Sequence, residues 1–319
     1  MATNVGTPAV PVTLVRTGRT RKLRNTTMRK HRLLYLMVIP GILWFLLFRA
    51  IPMGGILIAF QDYNIFRGFL ASRWVGFKHF AYLFQYQDFY RVFYNSMLIA
   101  LQEILFGFPA PILLALALNE VRMSSLKRGL QTVLYLPYFF SWVMIAALFF
   151  QLLSLNGIVN QIIVALGGER MLLVQRSWFF RPMIILSGLY RNSGYGTIVY
   201  LAAIAGIDPQ LYEAAMIDGA NRFQRIVRIT FPSILPTAMV LLLLRIGGLM
   251  NFGFDRIYNF LTPLTYGVGD VFDTYVYRVG LTEGQYSLTT AIGLFQGFVA
   301  FAMVWVVNQL MRRQGGGLW

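Results

Sequence analysis

Three ionisable side chains stand well inside stretches that are otherwise apolar: Glu103, Arg191 and Arg245. A charge held at bilayer depth costs a few kcal/mol on insertion scales, so such a group faces a pathway or another charge. Arg191 belongs to Tyr190-Arg191-Asn192-Ser193-Gly194-Tyr195-Gly196, a polar, glycine-rich interruption of its stretch, and Arg245 is followed by Gly247, Gly248 and Asn251. Irregular polar backbone at membrane depth is tolerated where it lines a cavity. Guanidinium groups grip carboxylates through two parallel N–H donors, and rings such as Tyr190, Tyr195 and Phe252 can stack on sugar faces. Two arrangements satisfy these residues. Arg191, Asn192, Tyr195, Arg245 and Asn251 can line a path for an anionic sugar, or Arg191 or Arg245 can pair with Glu103 purely to hold helices together. A further arginine, Arg49, lies near the end of its apolar stretch, where a long side chain snorkels to the headgroups.

A second constellation is local rather than dispersed. Asp208 is a good helix N-cap, with Pro209 at the first helical position. Gln210 through Met216 favour a helix, and Gly219 can take the positive φ that ends it. Asn221 can cap a second helix, which is expected to stop before Pro232. On that helix Phe223, Ile226 and Val227 share one face and Arg222, Arg225 and Arg228 another. The product is a helix–turn–helix with an apolar ridge, a basic stripe and a small-residue patch at Ala214-Ala215. By itself this is either a docking element or an amphipathic linker lying against lipid headgroups.

The elements that must position these residues are membrane helices. The chain is 57% apolar and only 13% charged, where soluble domains carry about a quarter charged residues. Six runs of about the length needed to cross a bilayer occupy 33–58, 95–118, 131–155, 183–206, 234–252 and 288–311. Of the 28 lysines and arginines, sixteen lie in the N-terminal segment, in 119–130, in 207–233 and at the C-terminus, and nine lie in the alternate loops. The positive-inside bias therefore puts both termini and 207–233 in the cytoplasm. The net charge of +16 thus reads as a topology signal with attraction for anionic lipid, and no nucleic-acid partner is expected. The aromatic-rich stretch 62–94 reads as short amphipathic helices at the outer interface. Cysteine is absent and the two histidines, His31 and His79, are far apart, so no metal site is expected. No G-x-x-x-x-G-K-[ST] loop occurs, and no catalytic triad is apparent.

The segment from Glu213 carries a longer pattern: E-A-A, three residues, G, nine residues, I, one residue, then the position before a proline. Glu213, Ala214, Ala215, Gly219, Ile229 and Pro232 are in register, and Phe231 stands where leucine is usual. This resembles the cytoplasmic coupling motif of permease subunits in binding-protein-dependent ABC importers, and Asp218 and Ala220 match its common D-G-A variant. Gly194–Ala203, Arg278–Leu281, Gln285–Ser287 and Ala291–Gln296 extend the likeness over most of the chain. Together they look most like the carbohydrate branch, in particular permeases for acidic oligosaccharides such as aldouronate, polygalacturonate or alginate.

The resemblance implies an all-α membrane protein of six transmembrane helices with the type I importer permease fold. A basic cytoplasmic tail would occupy 1–32, the first span and outer loop 33–94, the core permease domain 95–311 and a C-terminal tail 312–319, with the coupling motif at 209–232. It implies that Glu213, Ala214 and Ala215 contact an ATPase, that Gly219 permits the turn, and that Ile229 and Pro232 anchor the segment to the fifth span. It implies a non-catalytic subunit of the bacterial inner membrane that works by alternating access. The implied partners are a second homologous permease, two cytoplasmic ATPase subunits that bind ATP and magnesium, and an extracytoplasmic solute-binding protein. The alternative is an ion-coupled secondary transporter with no ATPase, for which Glu103 is the one embedded acid available.

Overall fold

The computed structural model describes residues 32–250 and 252–312. The tails at 1–31 and 313–319, and Asn251, lie outside the described residues. Two units divide the chain, at Ile56 and Leu57. The first holds most of helix α1 (Arg32–Phe60), whose regular turns pass through a π turn at Leu46–Ala50 before Pro52.

The second unit begins with a two-stranded ladder, β1 (Gln61–Asp62) against β2 (Arg73–Trp74), antiparallel with Gln61 opposite Trp74. This ladder was not expected from the sequence. Of the interfacial helices expected in 62–94, the structure forms Gly68–Ala71 and α2 (Lys78–Leu83). Residues from Gln87 onward already belong to the second span, α3 (Gln87–Asn119).

The third span is displaced from its expected place. Residues 131–135 finish an amphipathic helix, α4 (Ser124–Tyr135), and Pro137 opens a short 3-10 turn. A new helix then starts at α5 (Trp142–Leu153), where the Ser141 hydroxyl accepts the Met144 N–H at 3.3 Å. With α6 (Ile158–Ala165) it makes an apolar stretch from Trp142 to Ala165. Hydropathy alone could not place this boundary, because Pro137 and Ser141 sit in apolar surroundings.

The expected fourth span is α7 (Ser177–Ala205), 29 residues of unbroken helix. Among the described residues five helices are both long and apolar enough to cross a membrane, and α7 is not one of them. It is long enough, at about 1.5 Å per residue, but it is the polar centre of the bundle. The interruption expected at Tyr190–Gly196 does not break it. A Cβ on Gly194 would meet the Leu134 carbonyl oxygen at 1.9 Å, so the glycine admits the backbone of α4 rather than a bend.

α8 (Pro209–Ile217) is followed by α9 (Arg222–Gly247) and, after short helices including α10 (Phe254–Tyr258) and α11 (Phe272–Tyr275), by α12 (Tyr286–Arg312). α9 corrects a second expectation. The helix starting at Arg222 does not stop before Pro232 but runs through it into the fifth span. A π turn at Ile226–Thr230 lies just ahead of the proline, and such a bulge accommodates the missing N–H and the ring.

α7 packs along α3, and α9 packs against α12 and α7. Phe180, Ile184, Ile145 and Ile257 form one buried cluster. Phe89, Phe272 and Ile292 form a second, and Ile112, Tyr200 and Ile234 a third toward the α8 end. Between the fifth and sixth apolar runs, Ile257, Phe260, Val271 and Phe272 are all fully buried and belong to the core.

Candidate functional site

The three embedded charges meet, and a fourth joins them. Glu103 opens a π turn in the middle of α3. Its Oε2 accepts from Arg245 Nη2 at 2.8 Å, and its Oε1 from Arg256 Nη2. Arg245 also donates from Nη1 to the Gly107 carbonyl at 3.0 Å. Arg256 reaches the Ile184 carbonyl at 2.7 Å, but its Nε has no acceptor among the described residues. Two glycines make room for this cluster. A Cβ on Gly107 would meet Arg245 Nη2 at 2.6 Å, and one on Gly188 would meet Arg256 Nη2 at 2.2 Å.

Arg191 is not paired with Glu103. Its Nε donates to the Phe140 carbonyl at 3.0 Å and its Nη1 to Asn192 Oδ1 at 3.2 Å. Its guanidinium lies 4.7 Å from the Trp142 ring centre and 5.2 Å from that of Tyr138. Arg256 lies 5.2 Å from the same Trp142 ring. Trp142 therefore contacts two cations, a favourable use of its ring quadrupole. The row Arg191, Trp142, Arg256, Glu103, Arg245 carries three positive charges and one negative.

The Arg256, Glu103 and Arg245 end of this row, with Asn192 and Phe252 among others, lines a cavity of about 300 Å³. Of the residues singled out from the sequence, Asn192 and Arg245 line this cavity, and Arg191 stands behind it, bonded to Asn192. Tyr195 stands apart from the cavity lining, stacked flat on Tyr138 at 3.8 Å and partly exposed. Asn251 lies outside the described residues. The two arrangements left open by the sequence prove compatible: Arg245 is both a partner of Glu103 and a wall of the cavity.

Arg256 follows the fifth apolar run, and no motif in the sequence singles it out. It is 5% exposed. Its faint signal in the sequence is Gly188, a small residue in the span facing it. Arg181 and Arg278 are likewise engaged. Arg181 donates to Asn95 Oδ1 at 2.8 Å and Arg278 to Asp270 Oδ2 at 2.5 Å. Asn95 in turn donates to the carbonyls of Gly267 and Asp270. This second network fastens the 252–282 segment to α3.

The local constellation is built as its spacing requires. Asp208 Oδ1 accepts the Gln210 N–H at 2.9 Å. Gly219 has φ +78 with nothing near its missing Cβ, so its backbone conformation and not its size is what the turn needs. Asn221 and Gln224 exchange side-chain and backbone hydrogen bonds at 2.9 and 2.8 Å, a complete capping box. Tyr212 and Thr230 hydroxyls, 3.0 Å apart, tie α8 to α9. Glu213, Ala214 and Asp218 are exposed, and so are Met216, Ile217 (87%) and Phe223 (73%). Ile229 is half-buried at the root of α9, beside Pro232. Among the described residues no three His, Asp or Glu side chains converge to hold a metal ion.

Residues 107–314 match the family of binding-protein-dependent transport system inner membrane components. The chain belongs to that family and is the permease subunit of an ABC importer, which sets aside the ion-coupled alternative. Among its relatives, protein LplB of Bacillus subtilis is 43% identical over 90% of this chain and 90% of its own length. The polygalacturonan/rhamnogalacturonan transport system permease protein YteP of the same organism is 43% identical over 97% of this chain and 96% of its own. A solved bacterial ABC transporter involved in import of the acidic polysaccharide alginate contains a chain 41% identical to this one. That chain superposes with a TM-score of 0.85 over 92% of this chain and 99% of its own.

Proposed function

We propose that this subunit passes carboxylate-bearing oligosaccharides, of the uronate kind, across the bacterial inner membrane by alternating access. The observation that carries the reading is the surplus of guanidinium over carboxylate in the cavity wall, Arg245 and Arg256 against Glu103 alone, with Arg191 behind it, bonded to the lining residue Asn192. An unbalanced positive site in a low-dielectric wall favours an anion, and YteP and the alginate importer are named for acidic polysaccharides. The alginate transporter is also known in complex with a periplasmic protein holding an alginate pentasaccharide, which supports a solute-binding protein as the donor of cargo.

The remaining parts follow from the same reading. A second homologous permease completes the pathway, and two ATPase subunits dock on 209–232. There Glu213, Ala214, Ala215, Asp218, Gly219 and Ala220 form the contacting face, and Ile229 and Pro232 anchor it. Both termini lie in the cytoplasm.

The test is uptake by the complete transporter of a uronate oligosaccharide and of a neutral one of equal length. Arg191→Gln and Arg245→Gln should depress the acidic uptake about tenfold or more, since a charge-assisted hydrogen bond contributes about 1.5–3 kcal/mol. The neutral uptake should change little. Equal transport of both cargoes by the unaltered protein, or equal loss of both in the variants, defeats the reading. Arg245→Gln leaves Glu103 paired with Arg256, so gross unfolding is not expected to mask the result.

A further inference from the structure

Glu103 presents one carboxylate to two guanidiniums that remain charged at any working pH. The two halves of the carboxylate are not equivalent. The Oε1 side faces Arg256, which is buried and also held by Ile184. The Oε2 side faces Arg245, whose side chain is one-third exposed and borders the cavity. The cluster is therefore one anion short, and of the two guanidiniums that line the cavity Arg245 is the more exposed. The deeper guanidinium has an Nε without an acceptor among the described residues, so it can take more of the Glu103 carboxylate than it now does.

From these facts we infer a carboxylate subsite: Glu103 stands in for the cargo's own carboxylate while the path is empty. An arriving carboxylate takes Arg245, and Glu103 passes wholly to Arg256. Two acids and two arginines then balance, where before one acid served both. The cavity, at the low end of the size of small-molecule sites, takes a single sugar unit rather than the length of an oligosaccharide. Arg256 becomes the residue that keeps Glu103 out of the cargo's way, and thus a positioning residue for anion selectivity. The inference rests on the acidic-cargo reading above.

Gly107 supplies a variant that perturbs the exchange without removing a charge. The Cβ of Gly107→Ala would press on Arg245 Nη2 (2.6 Å) and Glu103 Oε2 (2.9 Å), wedging the pair apart. The complete complex in lipid nanodiscs is melted with glucuronate or with glucose. Glucuronate should raise the melting temperature of the unaltered complex and raise that of Gly107→Ala further, since Arg245 is then already released. Glucose should do neither. Glu103→Ala should melt lower, and glucuronate should recover a large part of that loss by filling the vacated place. If Glu103→Ala does not assemble, the comparison of the unaltered complex with Gly107→Ala decides alone. No glucuronate effect, or one matched by glucose, or a smaller effect in Gly107→Ala, overturns the subsite. If uronate oligosaccharides are still taken up in that case, only the subsite falls. If they are not, the cargo reading falls with it.

Discussion

The turn at 209–232 and the charge cluster around Glu103 are built on opposite plans. The turn draws every residue from one short segment, fixes its backbone with caps, and leaves its contacting side chains exposed. The cluster draws Glu103 from α3, Arg256 from α10 and Arg245 from α9, and buries the first two almost completely. A surface meant for another subunit can be rigid and still exposed, because local hydrogen bonds suffice to hold it. A charged site inside a membrane bundle has no water to fall back on. Each of its groups must be held by another, and the holders come from distant parts of the chain. Damage should therefore have different signatures: loss of assembly for the cluster, and loss of coupling with intact assembly for the turn.

The largest effect is expected from Glu103→Leu, which strands the buried Arg256 guanidinium and the half-buried one of Arg245. Removing one partner of a buried charge group typically costs about 3–5 kcal/mol, so the melting temperature of the assembled complex should fall steeply. An unchanged melting curve would erase the contrast drawn above. Gly219→Val comes next. A β-branched residue at positive φ costs on the order of 1–2 kcal/mol, confined to the turn. Membrane insertion and melting should be nearly unaffected while cargo-stimulated ATP hydrolysis disappears. Gly219→Asn, whose side chain tolerates that conformation, should restore much of the stimulation. Glu213→Lys should likewise uncouple without unfolding.

Asn221→Ala removes one half of the capping box and should cost about 1 kcal/mol locally. The expected readout is weaker stimulation of the ATPase at saturating cargo, with insertion unchanged. The smallest effect belongs to an exposed pair outside the bundle. Lys78 Nζ lies 2.9 Å from Asp62 Oδ2 with both side chains substantially exposed. The hydrogen bond from Lys78 holds the Asp62 carboxyl below its usual range, against a smaller opposing push from partial burial. A carboxylate with a lowered folded value stabilises above the ordinary aspartate range and loses that contribution as pH falls through the lowered value. Lys78→Met should change melting at neutral pH by less than about 1 kcal/mol equivalent, and the small difference should vanish in strong acid. A loss comparable to that of Glu103→Leu would mean that burial does not separate these sites.

The same contrast explains what could be read from the sequence. Caps, the positive-φ glycine and the coupling pattern are fixed by neighbours within a few residues, so Asp208, Gly219 and Asn221 were legible in place. Most spans were legible because apolar runs of bilayer length have few other uses. The start of α5 was not, because Pro137 and Ser141 reset the helix inside a run of even hydropathy. The passage of α9 through Pro232 was hidden because the π turn that permits it leaves no compositional mark. Glu103, Arg191 and Arg245 were visible as embedded charges, but their pairing was not, since it depends on how α3, α7 and α9 face one another. Arg256 was hidden most fully, lying between two apolar runs in a segment that folds as core.

That unbroken passage through Pro232 makes one rod of two functions. α9 starts at Arg222, beside the turn proposed to meet the ATPase, and ends at Gly247, two residues beyond Arg245. At 1.5 Å per residue the arginines at its two ends stand about 35 Å apart, a full bilayer thickness. The π turn at Ile226–Thr230, Pro232 and Pro236 are places where such a helix can bend, so force applied to one tip reaches the other partly as displacement and partly as bending. Tilting a rod of that length by about 10° about one end swings the other by about 6 Å, more than enough to pull a guanidinium clear of a carboxylate at 2.8 Å. The stroke of the motor and the release of the anion would then be a single rotation seen from two ends.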